Sequence, residues 1–161
     1  MTINFILNGE DKTVRTDAEK RLIYILRENF GLPGTRAGCL TGNCGACSIL
    51  LNGDMVESCL IPAFKIQGSE IVTIEGFSQT EEYIDILEGL REAGVETCGF
   101  CNTGKFLAIE ALLSRNSMPL ETEILAAFQG IKCRCTEPEE LLQGVMAVIK
   151  RRRGRLYGRS S

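Results

Sequence analysis

The sequence predicts an α+β chain in two parts, a β-rich first part built around one helix and an all-α second part. Three observations lead there. Short apolar runs in the first half are separated by Asn8-Gly9 and Asn52-Gly53, and Asn-Gly is the preferred pair for two-residue hairpin turns because both positions take positive φ. Beyond Ser78 the apolar residues recur near a 3.6-residue period, behind the capping boxes Ser78/Glu81 and Thr136/Glu139. Between the two hairpin signals lies Gly38-Cys39-Leu40-Thr41-Gly42-Asn43-Cys44-Gly45-Ala46-Cys47, a loop whose cysteines and glycines fit neither period.

Taken in order, Thr2 to Asn8 reads as a strand and Lys12 to Thr16 as its hairpin partner, with Val14 inward. Asp17 is placed to N-cap a helix with Leu22, Ile23, Ile25, Leu26 and Phe30 on one face. Gly31 and Pro33-Gly34 stop it. Ser48 to Leu51 and Met55 to Leu60 flank the second turn, and the returning strand brings Cys59 back to the cysteine loop. A short helix over Pro62 to Ile66 and a strand over Ile71 to Ile74, closed by Gly76, complete the unit. The order β–β–α–β–β–β around a single helix is the β-grasp pattern, and the first domain is placed at residues 1–76.

Residues 77–161 form the second domain, a small four-helix bundle with a basic tail. Its first helix, ending at Gly94, carries Tyr83, Ile84, Leu87 and Leu90. The second runs from Thr103 to Arg115 with Phe106, Ile109, Leu112 and Leu113 inward, and the third from Glu121 to Gln129. The fourth opens at the Thr136 box and carries Leu141, Leu142, Val145, Val148 and Ile149.

Composition narrows the function. Hydrophobic residues make up 44% and charged residues 24% of the chain, which is a globular balance. There is no apolar run of about 18 residues and no secretory signal pattern, so the expectation is a cytoplasmic protein that does not enter a membrane. In a reducing compartment, eight cysteines point to metal ligands more than to disulfides. No histidine is present, which excludes a Rieske centre, a histidine-ligated haem and a histidine acid–base catalyst. Net charge is −3, but residues 1–149 carry −9 and the last twelve residues hold six cations and no acid. The acidic body argues against nucleic acid. The tail is expected to offset the negative end of the last helix and dock on an acidic partner, or else to stay solvated and disordered.

Cys39, Cys44 and Cys47 are spaced C-x4-C-x2-C, with Cys59 twelve residues further on. This is the plant-type ferredoxin spacing for a [2Fe-2S] cluster, three ligands on one tight loop and a fourth from elsewhere. Glycine serves such a loop because it brings backbone close to sulfur and turns through positive φ cheaply. A structural zinc site fits less well, since zinc usually takes two closely spaced pairs. A second set, Cys98 and Cys101 with Cys133 and Cys135, precedes two predicted helix starts. Two helix N-termini facing each other offer free N–H donors to an anionic cluster. That set points to a second [2Fe-2S] cluster, with a four-cysteine zinc site as the alternative.

With these motifs in place the chain resembles the small iron–sulfur subunit of the molybdenum hydroxylases, the xanthine dehydrogenase, aldehyde oxidoreductase and carbon monoxide dehydrogenase group. The resemblance runs from Asn4 to about Lys150. It rests on Gly38–Cys47, Cys59–Ala63, Thr73–Gly76, Cys98–Cys101 and Cys133–Thr136. It implies two [2Fe-2S] clusters: one on Cys39, Cys44, Cys47 and Cys59 nearer a flavin, the other on Cys98, Cys101, Cys133 and Cys135 nearer a molybdopterin. It further implies electron flow from molybdopterin through both clusters to FAD, with those two cofactors on a large subunit and an FAD-binding subunit. The alternatives are a free ferredoxin-like carrier and a subunit of a flavin enzyme lacking the usual molybdenum cofactor. Departures from the family pattern surround the second set: Thr97 for a glutamine that faces the pterin, then Asn102, Thr103, Lys105, Glu137 and Pro138. They imply retained ligands behind an altered cofactor-facing surface.

Overall fold

The computed structural model describes residues 1–95, 102–129, 131 and 136–159. Strands β1 (Thr2–Leu7) and β2 (Glu10–Arg15) form the first hairpin, with Leu7 opposite Glu10 and positive φ at Asn8 and Gly9. Strict alternation buries Ile3, Phe5 and Leu7 of β1 and leaves Thr2, Asn4 and Ile6 outside, while Val14 points inward from β2.

Helix α1 (Leu22–Tyr24) runs directly into a π-helical turn over Ile25–Asn29. Its N-cap is Arg21, not Asp17. The reason is a competing use of the backbone. The carbonyls of Ala18 and Lys20 accept from Phe64 N (3.0 Å) and Ala63 N (2.9 Å), so these residues serve a long-range contact instead of a first helical turn.

Strands β3 (Ser48–Leu51) and β4 (Asp54–Glu57) meet at Asn52-Gly53, again with both φ positive. β4 ends sooner than expected, and Cys59 sits in a 3₁₀ turn, Ser58–Leu60. A second 3₁₀ turn covers Ala63–Ile66. β5 (Glu70–Val72) is shorter than predicted, because Ile74 opens the short helix α2 (Ile74–Phe77). The sheet order is β2-β1-β5-β3-β4, with β1 and β5 parallel and the other neighbours antiparallel. One core joins Phe5, Leu22, Leu26, Ile49, Ile66 and Ile71.

Helices α3 (Glu81–Glu92), α4 (Asn102–Arg115), α5 (Glu121–Ala127) and α6 (Pro138–Arg159) follow, which completes the α+β class. Their core includes Ile86, Leu90, Phe106, Leu107, Val145 and Val148, and Leu50 of β3 joins it, so sheet and helices share a packed face. Ile84 is 51% exposed and Ile86 takes the inward place expected of it. The α3 cap is Thr80, whose hydroxyl accepts from Tyr83 N (3.2 Å), because Ser78 Oγ already donates to Glu75 O at the end of α2. At α6 the box moves by one residue, with Glu140 accepting from Glu137 N (3.2 Å). As far as it is described, the basic tail is helical and not a disordered stretch. It continues α6, and Arg151, Arg152 and Arg155 pair with acids of α3 and α4.

Candidate iron–sulfur site

The first cysteine loop curls through positive φ at Leu40, Gly42 and Gly45. That curl turns successive N–H groups onto sulfur. Cys39 Sγ accepts from the backbone N of Thr41 (3.4 Å), Asn43 (3.2 Å) and Cys44 (3.3 Å). Cys44 Sγ accepts from Cys39 N and Ala46 N, both at 3.4 Å. The Thr41 hydroxyl also reaches Cys39, and its oxygen accepts from Asn43 Nδ2 at 2.8 Å. These donors, the Thr41 hydroxyl foremost and the N–H groups of Thr41 and Asn43 next, bring the Cys39 thiol down to about 6.

Cys47 and Cys59 form the inner pair. Both are buried and pack with Ile23. Ser58 closes the gap between their segments, with its N (3.2 Å) and Oγ (2.8 Å) both donating to Cys47 O. Burial pushes the Cys47 thiol up to about 11, and the neighbouring Cys59 side chain adds to the rise.

The thiols thus stand as two adjacent pairs, Cys39 with Cys44 and Cys47 with Cys59. Among the described residues no three His, Cys, Asp or Glu side chains converge as they would on a single ion. Two pairs, one wrapped in N–H donors that favour anionic sulfur, fit a two-iron cluster with two cysteines per iron. When bound there, such a cluster takes up and releases one electron. Gly38 guards the arrangement, since a Cβ at this position would lie 2.6 Å from Cys44 Sγ and 3.3 Å from the Ala46 Cβ. Gly38→Ala is expected to displace that sulfur and speed iron loss to a chelator about 10-fold, the scale on which ligand support usually acts. Release kinetics of iron from the loaded protein would check this.

Cys98, Cys101, Cys133 and Cys135 lie outside the described residues, as does Thr97. Their described neighbours are informative. Lys105 is fully buried, and its Nζ donates to Thr136 Oγ1 at 3.0 Å. This bond joins the first turn of α4, which follows Cys101, to the residue after Cys135. The same turn rests on the first loop. A Cβ on Gly104 would lie 2.9 Å from Gly45 O, and Thr103 Oγ1 donates to Gly34 O at 3.3 Å. Thr103 and Lys105 are therefore packed inside, not on an outward surface, whereas Glu137 and Pro138 are exposed. The supporting roles of Thr41, Ser58 and Lys105 were not read from the sequence. A neutral polar residue inside a metal loop was the available signal for Thr41, and Lys105 carried no signal of burial.

Comparison with known proteins agrees with this geometry. The 2Fe-2S iron-sulfur cluster binding domain family matches residues 5–71, and the [2Fe-2S] binding domain family matches residues 73–146. The nicotinate dehydrogenase small FeS subunit of Eubacterium barkeri is 38% identical, with the match covering 94% of this chain and 96% of that one. A probable xanthine dehydrogenase subunit of Bacillus subtilis is 35% identical over 81% of this chain and 75% of its own. The crystal structure of quinoline 2-oxidoreductase from Pseudomonas putida 86 superposes with a TM-score of 0.83 at 34% identity, over 96% of this chain and 97% of that one. Two longer relatives are matched over only 16% and 12% of their length. Two adjacent [2Fe-2S] binding domains and these relatives together place the chain in the small iron–sulfur, electron-transfer subunits of the xanthine dehydrogenase family of molybdenum hydroxylases.

Proposed function

We propose that Cys39, Cys44, Cys47 and Cys59 ligate one [2Fe-2S] cluster within residues 1–76, and that Cys98, Cys101, Cys133 and Cys135 ligate the other within residues 77–161. In this reading electrons leave a molybdopterin site on a large subunit, enter the helical-domain cluster, pass to the β-grasp cluster and leave to FAD on a third subunit. The complex works in the cytoplasm, where eight cysteines stay reduced for metal binding. The observation that carries the reading is the ring of N–H donors on Cys39 and Cys44 beside the buried Cys47–Cys59 pair. The contact of the α4 first turn with Gly45 supports the relay, since it sets the stretch after Cys101 against the first loop. Among the described residues no helix is long and apolar enough to cross a membrane.

The test is an anaerobic purification of the complex through a tag on this chain, followed by assay of iron, molybdenum and flavin. About four irons per chain, with molybdenum and flavin, are expected for two two-iron clusters in a complete hydroxylase. Iron and flavin without molybdenum would replace the large-subunit part of the reading. The exposed Glu137 and Pro138 would then mark a surface that meets a different cofactor. Zinc in place of iron would overturn it altogether.

A further inference from the structure

We infer that Arg21 fastens the Cys39–Cys47 loop and raises the reduction potential of the centre that this loop holds. The inference rests on the reading that Cys39, Cys44, Cys47 and Cys59 ligate a [2Fe-2S] cluster. Arg21 Nη1 donates to Leu40 O at 3.0 Å. Leu40 follows Cys39 directly and is held at positive φ, so its carbonyl is a defined anchor point on the loop. The backbone of Arg21 bridges to Pro62, and its two neighbours bond to the same stretch, Leu22 N to Ile61 O (2.8 Å) and Ala63 N to Lys20 O (2.9 Å). That stretch follows Cys59. Arg21 therefore ties the segment carrying the fourth cysteine to the loop carrying the other three.

Arg36, just before the loop, meets it through its backbone, its N donating to Ala46 O at 3.1 Å, whereas Arg21 meets it with its charged side chain. Residues 38–47 contain no Asp, Glu, Lys or Arg. Among the described hydrogen bonds, no other charged side chain reaches them. Reduction adds one negative charge to the centre, and a cation held nearby stabilises the reduced form more than the oxidised form. The guanidinium is exposed, so water and salt weaken the effect without abolishing it.

An EPR-monitored redox titration of the purified complex tests this, reading the signal that Cys59→Ser removes. Arg21→Gln keeps a hydrogen-bond donor and loses the charge. It is expected to lower the reduced-to-oxidised ratio at a fixed potential about three-fold, roughly 30 mV at 59 mV per tenfold change. Arg21→Lys keeps the charge and is expected to hold most of the wild-type potential. The second signal stays in place in both. The gap between wild type and Arg21→Gln should shrink as ionic strength rises from about 0.01 M to about 1 M, which a purely structural role would not produce. An unmoved potential in Arg21→Gln would overturn the inference, as would an equal, salt-independent drop in both variants. A wild-type complex with no [2Fe-2S] signal would instead defeat the reading of the cysteines, and it would show before any variant was made.

Discussion

Cys59→Ser is expected to cut the iron content from about four to about two per chain and to abolish one of two [2Fe-2S] EPR signals while leaving the other. Cys59 is the one cysteine of the first set that does not lie on the loop; it sits in the Ser58–Leu60 turn and is 1% exposed. Its partner Cys47 is equally shut away from solvent, with its thiol pushed up to about 11 by burial. A serine hydroxyl ionises far less readily than a thiol, and a buried one less readily still, so it supplies no soft anionic ligand. The remaining three cysteines leave one iron short of a ligand, and the cluster is lost. The helical core is built from separate residues and should persist. Electron delivery to the acceptor should then fail while reduction of the surviving centre by substrate continues. Iron analysis with EPR of the dithionite-reduced complex decides the matter. Retention of about four irons would mean that the fourth ligand is another residue.

How far the sequence foretold this depends on whether an element's cause is local. The two Asn-Gly hairpins and the cysteine loop were legible because turn chemistry and ligand spacing act within a few residues. The start of α1 was not. Asp17 is a good cap by itself, but the bonds from Ala63 and Phe64 to Lys20 and Ala18 come from a segment more than forty residues away. Ser78 failed as a cap for the opposite reason, because an unpredicted short helix, α2, used its hydroxyl first. Thr136 was expected to cap α6, and instead its hydroxyl accepts from Lys105, thirty-one residues earlier. The four cysteines of the first set were legible as a group, yet their division into an outer, donor-rich pair and a buried pair needed the fold. The basic tail was visible as charge, but its partners on α3 and α4 were not, since nothing local marks Asp85 as an inward-facing acid.

Asp85→Ala is expected to destabilise the protein by about 3 kcal/mol or more, the scale for removing one partner from a buried ionic cluster. The Asp85 side chain is 5% exposed. Arg155 brings two guanidinium nitrogens to one oxygen, Oδ2, through Nε (2.9 Å) and Nη2 (2.7 Å). Arg151 Nε stands 3.5 Å from Oδ1 and Arg152 Nε 3.9 Å from Oδ2. One carboxylate thus sits among three guanidiniums, and its loss leaves like charges facing one another across a vacancy. Their remaining partners are Glu81 for Arg155 (2.8 Å), Glu92 for Arg151 (3.0 Å) and Glu110 for Arg152 (2.6 Å). Glu110 is already engaged by Arg152 at 2.6 Å, so it is not free to replace the missing carboxylate beside Arg155 and Arg151. Glu92→Ala is the control: its side chain is 57% exposed, and its pair with Arg151 should be worth less than about 1 kcal/mol. For a chain of this length the Asp85 loss corresponds to a fall in Tm of about 10 °C, readable by circular dichroism on the iron-loaded protein. Equal effects from the two substitutions would refute the buried-cluster account. The consequence should reach the metal as well. α6 is held to α3 at this cluster, and it begins just after Thr136, the acceptor of the buried Lys105 bond. Loosening α6 in Asp85→Ala should therefore speed iron loss from the second centre, while the signal that depends on Cys59 survives.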